Sequence, residues 1–209
     1  MSEGDGEAIP LPHRAPVGRS VLEEVEATWR AMRRGGRLPA HADLDPQRLA
    51  SALPHALVLE RMAPGVARLR FAGRALAALL GAEPRGMPLT SFFAPAARAR
   101  AMAMLDRAFD GPAVVEAAVT APRSAFKARL DGRLLLLPML DRDGRPTRAL
   151  GALLLEGPAP RAPRPLELRE DRPLRVEPAE PVTFAVTGTQ ALAAAEAPRP
   201  YLRLVVSNP

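Results

Sequence analysis

Apolar and polar positions along the chain fall into short blocks whose spacing changes from one block to the next. Between Asp131 and Glu156 two apolar runs, Leu134 to Leu140 and Ala149 to Leu155, flank a charged segment containing Asp143-Gly144. Runs this brief, bounded by turn residues, predict neighbouring antiparallel strands. The first run is apolar at nearly every position, which predicts a strand covered on both faces. Pro138 conflicts with that, because it has no N–H to give a ladder and belongs at an edge or a bulge.

Upstream, Ser20 predicts the cap of a helix on which Val21, Leu22, Val25, Trp29 and Met32 share a face, ended by Gly35-Gly36. That stripe predicts an anchor, against either the rest of the domain or a second copy. Asp45-Pro46 opens a short helix stopped at Pro54. Leu57 to Met62 and Val66 to Phe71 predict a hairpin about Pro64-Gly65, with Ala67, Leu69 and Phe71 on one face and Val66, Arg68 and Arg70 on the other. Leu76, Leu79 and Leu80 mark a short helix closed by Gly81, and Leu89, Phe92 and Phe93 an apolar knot. Ala99, Met102, Leu105, Ala108 and Phe109 mark a helix from Pro95 to Asp110, and Ala113 to Ala121 a further strand. The order predicts an α+β fold: an antiparallel sheet of about five strands with short helices on one face and an N-terminal helix.

The apolar positions expected between sheet and helices are Leu57, Leu59, Leu69, Phe71, Leu79, Phe92 and Phe93, with Met102, Phe109, Leu135, Leu137, Met139, Leu153 and Leu155. They either fill a core or enclose a small apolar or weakly polar ligand, since binding cavities are mostly apolar with few polar groups. Aromatic residues that would stack on a flavin are scarce, so no cofactor is expected.

Composition narrows the function classes. The chain has 209 residues, a formal net charge of +6 and no cysteine, which excludes disulfides, thiolate metal sites and cysteine nucleophiles. The basic residues are almost all arginine, dispersed among acids along the chain, which is a mixed solvated surface and a weak argument for nucleic acid. No run has the length of a signal-peptide core or a membrane helix, so a cytoplasmic protein is expected. Residues 1–16 predict a disordered leader, 157–181 a proline-rich linker without a core, and 182–209 a tail.

Candidate chemistry is sparse. His41 and His55 could ligate haem or metal, and His41, Asp43 and Asp45 could share a divalent ion, but both histidines sit beside helix ends and both acids suit helix starts. Ser51, Ser91 and Ser124 have no nucleophile elbow. Glu60 is expected to pair across strands with Arg68 or Arg70. The Gly35, Gly81 and Gly86 loops have no phosphate-binding pattern.

Several local strings, in order, resemble the PAS family, in particular the PAS-like group typical of alphaproteobacterial proteins. They are Trp29 with Arg33 to Leu38, Asp43 to Pro46, Leu53-Pro54, Leu59-Glu60-Arg61, Arg70-Phe71-Ala72-Gly73, Leu80-Gly81 with Arg85-Gly86, Leu135 to Pro138, and Leu150-Gly151-Ala152. The resemblance covers roughly residues 17 to 156. It implies a curved five-stranded sheet and a non-enzymatic sensory or adaptor role, acting through protein–protein interaction with a signalling protein such as a histidine kinase or regulator. The alternative is a sensor with a small molecule between sheet and helices. No kinase, cyclase or receiver motif accompanies the domain, and a homodimer through the N-terminal stripe is expected.

Overall fold

A computed structural model of the chain describes residues 17–124, 127–157, 163–172 and 174–179. The expected leader and all of the expected tail lie outside them. Helix α1 (Val17–Met32) is followed by two 3-10 turns, strands β1 (Ala56–Ala63) and β2 (Val66–Ala72), and helix α2 (Arg74–Leu80). Two more 3-10 turns then precede α3 (Arg98–Phe109), β3 (Ala113–Ala121), β4 (Leu130–Met139) and β5 (Arg148–Leu155). The helix begins at Val17, so Ser20 lies within α1 and is not its cap.

The five strands form one antiparallel sheet in the order β2-β1-β5-β4-β3. Between β4 and β5, Asp141 takes the backbone N–H groups of Asp143 and Arg145, both at 2.9 Å, and the Thr147 hydroxyl, while Gly144 supplies a left-handed φ of 74°. Those bonds, the Thr147 hydroxyl foremost, hold the Asp141 carboxyl below the usual range. The turn is therefore fixed by side-chain chemistry that the sequence shows.

Both faces of the sheet are dry. On one, Leu134, Leu136, Ala149 and Leu153 pack with α2, α3 and the Leu89–Phe93 knot; on the other, Leu135, Leu137, Met139, Leu150, Ala152 and Leu154 pack under α1. Burying each such side chain is worth roughly 1.5–3 kcal/mol, so β4 and β5 commit the chain to two covering layers. Trp29 is 1% exposed and its indole Nε1–H donates to the Pro138 carbonyl at 2.8 Å. Pro138 is paired with Ala149 of β5, but the ladder to β3 ends at Leu136. The proline thus occupies an end of β4 whose β3 side is unpaired, which resolves its conflict with a central strand.

Of the described residues beyond Glu156, 163–172 and 174–179 are docked on the sheet, contrary to the expected free linker. Two added strands, β6 (Glu167–Leu168) and β7 (Arg175–Pro178), both pair with the outer edge of β3. Leu166, Leu168 and Ala179 are buried, and the Arg164 guanidinium, also buried, donates to the carbonyls of Ala121, Pro122 and Ala128 at 2.7–3.1 Å. Arg175 then ties the segment to α1, reaching Glu26 at 2.7 and 2.9 Å and Glu116 of β3 at 3.3 Å. Proline content masked this docking. The prolines remove donors, while Leu166, Leu168 and two arginines supply the contacts.

Replacing Trp29 with Phe keeps most of the burial and removes the indole donor, leaving the Pro138 carbonyl unpaired. We expect a loss of about 1–3 kcal/mol, read by urea unfolding with far-UV circular dichroism, because the chain has no other tryptophan.

The Arg175 guanidinium is the largest influence holding the Glu26 carboxyl below its ordinary value of 4.5. An acid whose value is lower folded than unfolded stabilises fully above the unfolded value, and that contribution drains as pH falls through the folded one. Glu26→Gln is therefore expected to be less stable than wild type at pH 7, with the difference closing below about pH 4.5, as unfolding midpoints measured against pH would show.

Candidate functional site

A cavity of about 620 Å³ lies beside α2, where the turn before β1 meets the end of β5. Its walls are the turn before β1 (Ser51, Pro54, His55), one side of α2 (Arg74, Ala75, Ala78, Leu79), Leu153 and Leu155 of β5, and Gly157. Gly73 makes this geometry possible. A Cβ there would stand 2.3 Å from the carbonyl oxygens of Leu53 and Pro54, so only glycine lets the start of α2 press on that turn. The contact is then locked by Gly73 N–H to Ala56 O at 2.8 Å and Ala75 N–H to Pro54 O at 2.9 Å.

Three polar residues are among those lining this mostly apolar space: Ser51, His55 and Arg74. His55 Nδ1 is sealed from solvent and has no hydrogen-bond partner, and it is the one buried side-chain polar atom among the described residues in that condition. The His55 carbonyl accepts from Leu153 N–H at 3.0 Å, which fixes the residue against β5. Ser51 donates to Glu24, joining the cavity wall to α1.

A smaller cavity of about 230 Å³ lies on the α1 side of the sheet, lined by His41, Leu49, Leu53, Val58 and Phe71 among others. Burial first, then Arg148 and Arg142, hold the His41 imidazole below its usual value. His41 and His55 thus line different cavities. Asp45 accepts from Gln47 N–H at 2.9 Å as a helix-start acid, and Glu60 pairs with Arg70 and, at 2.6 Å, with Arg148. Among the described residues no group of three or more His, Asp or Glu could hold a metal ion.

The fourteen apolar positions expected to face one space are divided by the structure. Leu57, Leu59, Leu69, Leu79, Phe92, Phe93, Phe109 and Leu153 do belong to the cluster beneath α2 and α3, and Leu155 packs against it. Leu135, Leu137 and Met139 belong instead to the opposite face, under α1. In a run apolar at every position, alternation cannot say which parity faces which layer. Phe71 is 39% exposed on the α1 side, because a bulge shifts the register so that Val58 pairs with Phe71 and Leu59 with Leu69. Met102 is 40% exposed, and α3 buries Ala101, Met104, Leu105, Ala108 and Phe109. The Arg-Ala-Met-Ala-Met string supports two helical phases, and the one with Met104 inside is adopted.

The stripe expected to meet a second copy is spent within the chain. Val21, Leu22, Val25, Trp29 and Met32 are all at most 7% exposed against the chain's own sheet. Of the two anchors the sequence allowed, the structure uses the internal one.

A family model described as PAS domain matches residues 18–154, well over half the chain. The chain belongs to the PAS family. It is a sensory signalling domain, and PAS domains commonly couple to signalling partners. Among solved structures, the PAS fold here is similar to a crystal structure of the Rhodobacter sphaeroides LOV protein, at 15% identity over 66% of this chain and 68% of that one, TM-score 0.39. It is also similar to a light-oxygen-voltage domain studied with a flavin analogue, at 16% identity over 53% of this chain and 83% of that one, TM-score 0.37. Comparison with curated proteins finds no match. The expectation of no cofactor, flavin included, is corrected by these two light-oxygen-voltage neighbours and is not carried further. Among the described residues no helix is long and apolar enough to cross a membrane.

If Gly73 sets the cavity wall, Gly73→Ala must move α2 away from the Leu53–Pro54 carbonyls. We expect a loss of about 1–3 kcal/mol, the usual range for overpacking, measured by chemical unfolding, with a crystal structure showing α2 displaced.

Proposed function

We propose that this PAS domain senses a small molecule bound in the cavity beside α2 and passes its occupancy to a signalling protein. The observation that carries the reading is the cavity itself, about 620 Å³ and lined mostly by apolar residues with Ser51, His55 and Arg74 among them, a volume that suits a small organic ligand. The competing reading, an adaptor that docks through its sheet or the apolar side of α1, has less to stand on. Both faces of the central strands β4 and β5 are covered, the α1 stripe is buried, and the β3 edge is paired with β6 and β7.

The output follows from what the cavity wall touches. Leu153 and Leu155 belong to β5, whose alternate residues Leu150, Ala152 and Leu154 lie under α1. Ser51 is in the wall and is bonded to Glu24 of α1. An occupant that shifts the Ser51–His55 turn or β5 is therefore felt by α1, whose outward side carries Glu23 and Arg30. A histidine kinase or regulator reading that polar side would receive the signal. The role is binding and signalling, without bond-making chemistry, in the cytoplasm.

Native mass spectrometry of the protein purified from its own host tests this. The expected result is a non-covalent mass adduct that is absent from Ala75→Phe, where the new ring fills the cavity. Wild-type protein that carries no adduct and takes up none from a host extract would overturn it.

A further inference from the structure

We infer that the cavity beside α2 selects amphiphiles with an anionic, carboxylate-type head, held between Arg74 and His55 with the apolar body against α2 and β5. The inference rests on the proposed function and goes on to the chemical class of ligand. Three observations carry it. Arg74 is exposed at the wall of the cavity and makes no ion pair or hydrogen bond with any described residue, although most other arginines around the sheet are paired with acids. His55 also lines the cavity, and an imidazole can donate a hydrogen bond to an anion. No carboxylate lines the cavity; Glu24, the nearest one bonded to a wall residue, is engaged by the Ser51 hydroxyl.

The cavity wall therefore presents a guanidinium and an imidazole, with no carboxylate among the described lining residues to welcome an ammonium group. A guanidinium meets a carboxylate through charge-assisted, often paired hydrogen bonds, which an alcohol of the same length cannot reproduce. The remaining wall, Pro54, Ala75, Ala78, Leu79, Leu153 and Leu155, is apolar and small along α2. It suits an aliphatic body and not a second charged group. A dianion or nucleotide would leave its further charges against leucine and alanine.

The test is calorimetric titration of the full chain with sodium octanoate, octan-1-ol and octylammonium, each below its aggregation limit, against wild type, Arg74→Gln and Ala75→Phe. The expected result is octanoate binding about tenfold or more tighter than octanol, as one charge-assisted hydrogen bond would give, with octylammonium weakest. Arg74→Gln, at an exposed position, should bring octanoate down to octanol and leave octanol unchanged; Ala75→Phe should abolish both. Octanoate no tighter than octanol, with both lost in Ala75→Phe, would sink the carboxylate assignment and leave the cavity as a ligand site. Octylammonium binding best would reverse the assignment. No binding by any of the three, to wild type or Arg74→Gln, would count against the carboxylate class and the proposed function together.

Discussion

A strand that is apolar on both sides has to be covered on both sides. β4 and β5 carry leucine, alanine or methionine in both parities, and a sheet exposing either parity would leave several leucines in water. One cover is made by α2, α3 and the Leu89–Phe93 knot, the other by α1. The Trp29 indole fixes the second, because its one donor finds the one β4 carbonyl beside the end of the β3 ladder. The chain spends its N-terminal helix on its own sheet, and the free surface of α1 is polar as a result.

Much of this arrangement was legible before any coordinates. The element order, the β4–β5 turn at Asp143-Gly144, the acid at the start of the Pro46 turn and the Glu60–Arg70 pairing were all written in local chemistry. What was not legible had physical causes. A uniformly apolar strand hides its own parity, which placed Leu135, Leu137 and Met139 on the wrong face. A one-residue bulge at Arg70 turned Phe71 over, and nothing in Arg-Leu-Arg-Phe marks a bulge. Met102 and Met104, two apart, cannot both face inward from one helix, and the sequence does not choose between them. The C-terminal strands were missed because five prolines between Pro158 and Pro173 outweighed Leu166 and Leu168, and because Arg164 finds its carbonyls only in three dimensions.

The cavity beside α2 was partly legible. His55 stood out in the sequence as a histidine beside Pro54; among the described residues it belongs to no cluster that could hold a metal ion, and its Nδ1 is a buried nitrogen without a partner. Gly73, within one of the strings that carry the PAS resemblance, turns out to be the residue that lets α2 and the Leu53–Pro54 turn touch. The space beneath the helices, where a ligand was first sought, is occupied by Phe92, Phe93 and Phe109, each at most 2% exposed. The cavity beside α2 shares a wall with β5, and so with the floor on which α1 rests.

The outer edge of β3 is nine residues long, apolar on most positions, and closed by two short strands from beyond the PAS-matched region. An uncovered strand of that kind is a template for another chain. A fragment trimmed at residue 154, where the family match ends, would therefore expose a sticky ribbon to its neighbours and be prone to stack into strand-paired aggregates. Carried through Ala179, the chain supplies its own guard rail, and the boundary of the foldable unit lies about a fifth of the domain's length further on than its kinship alone suggests.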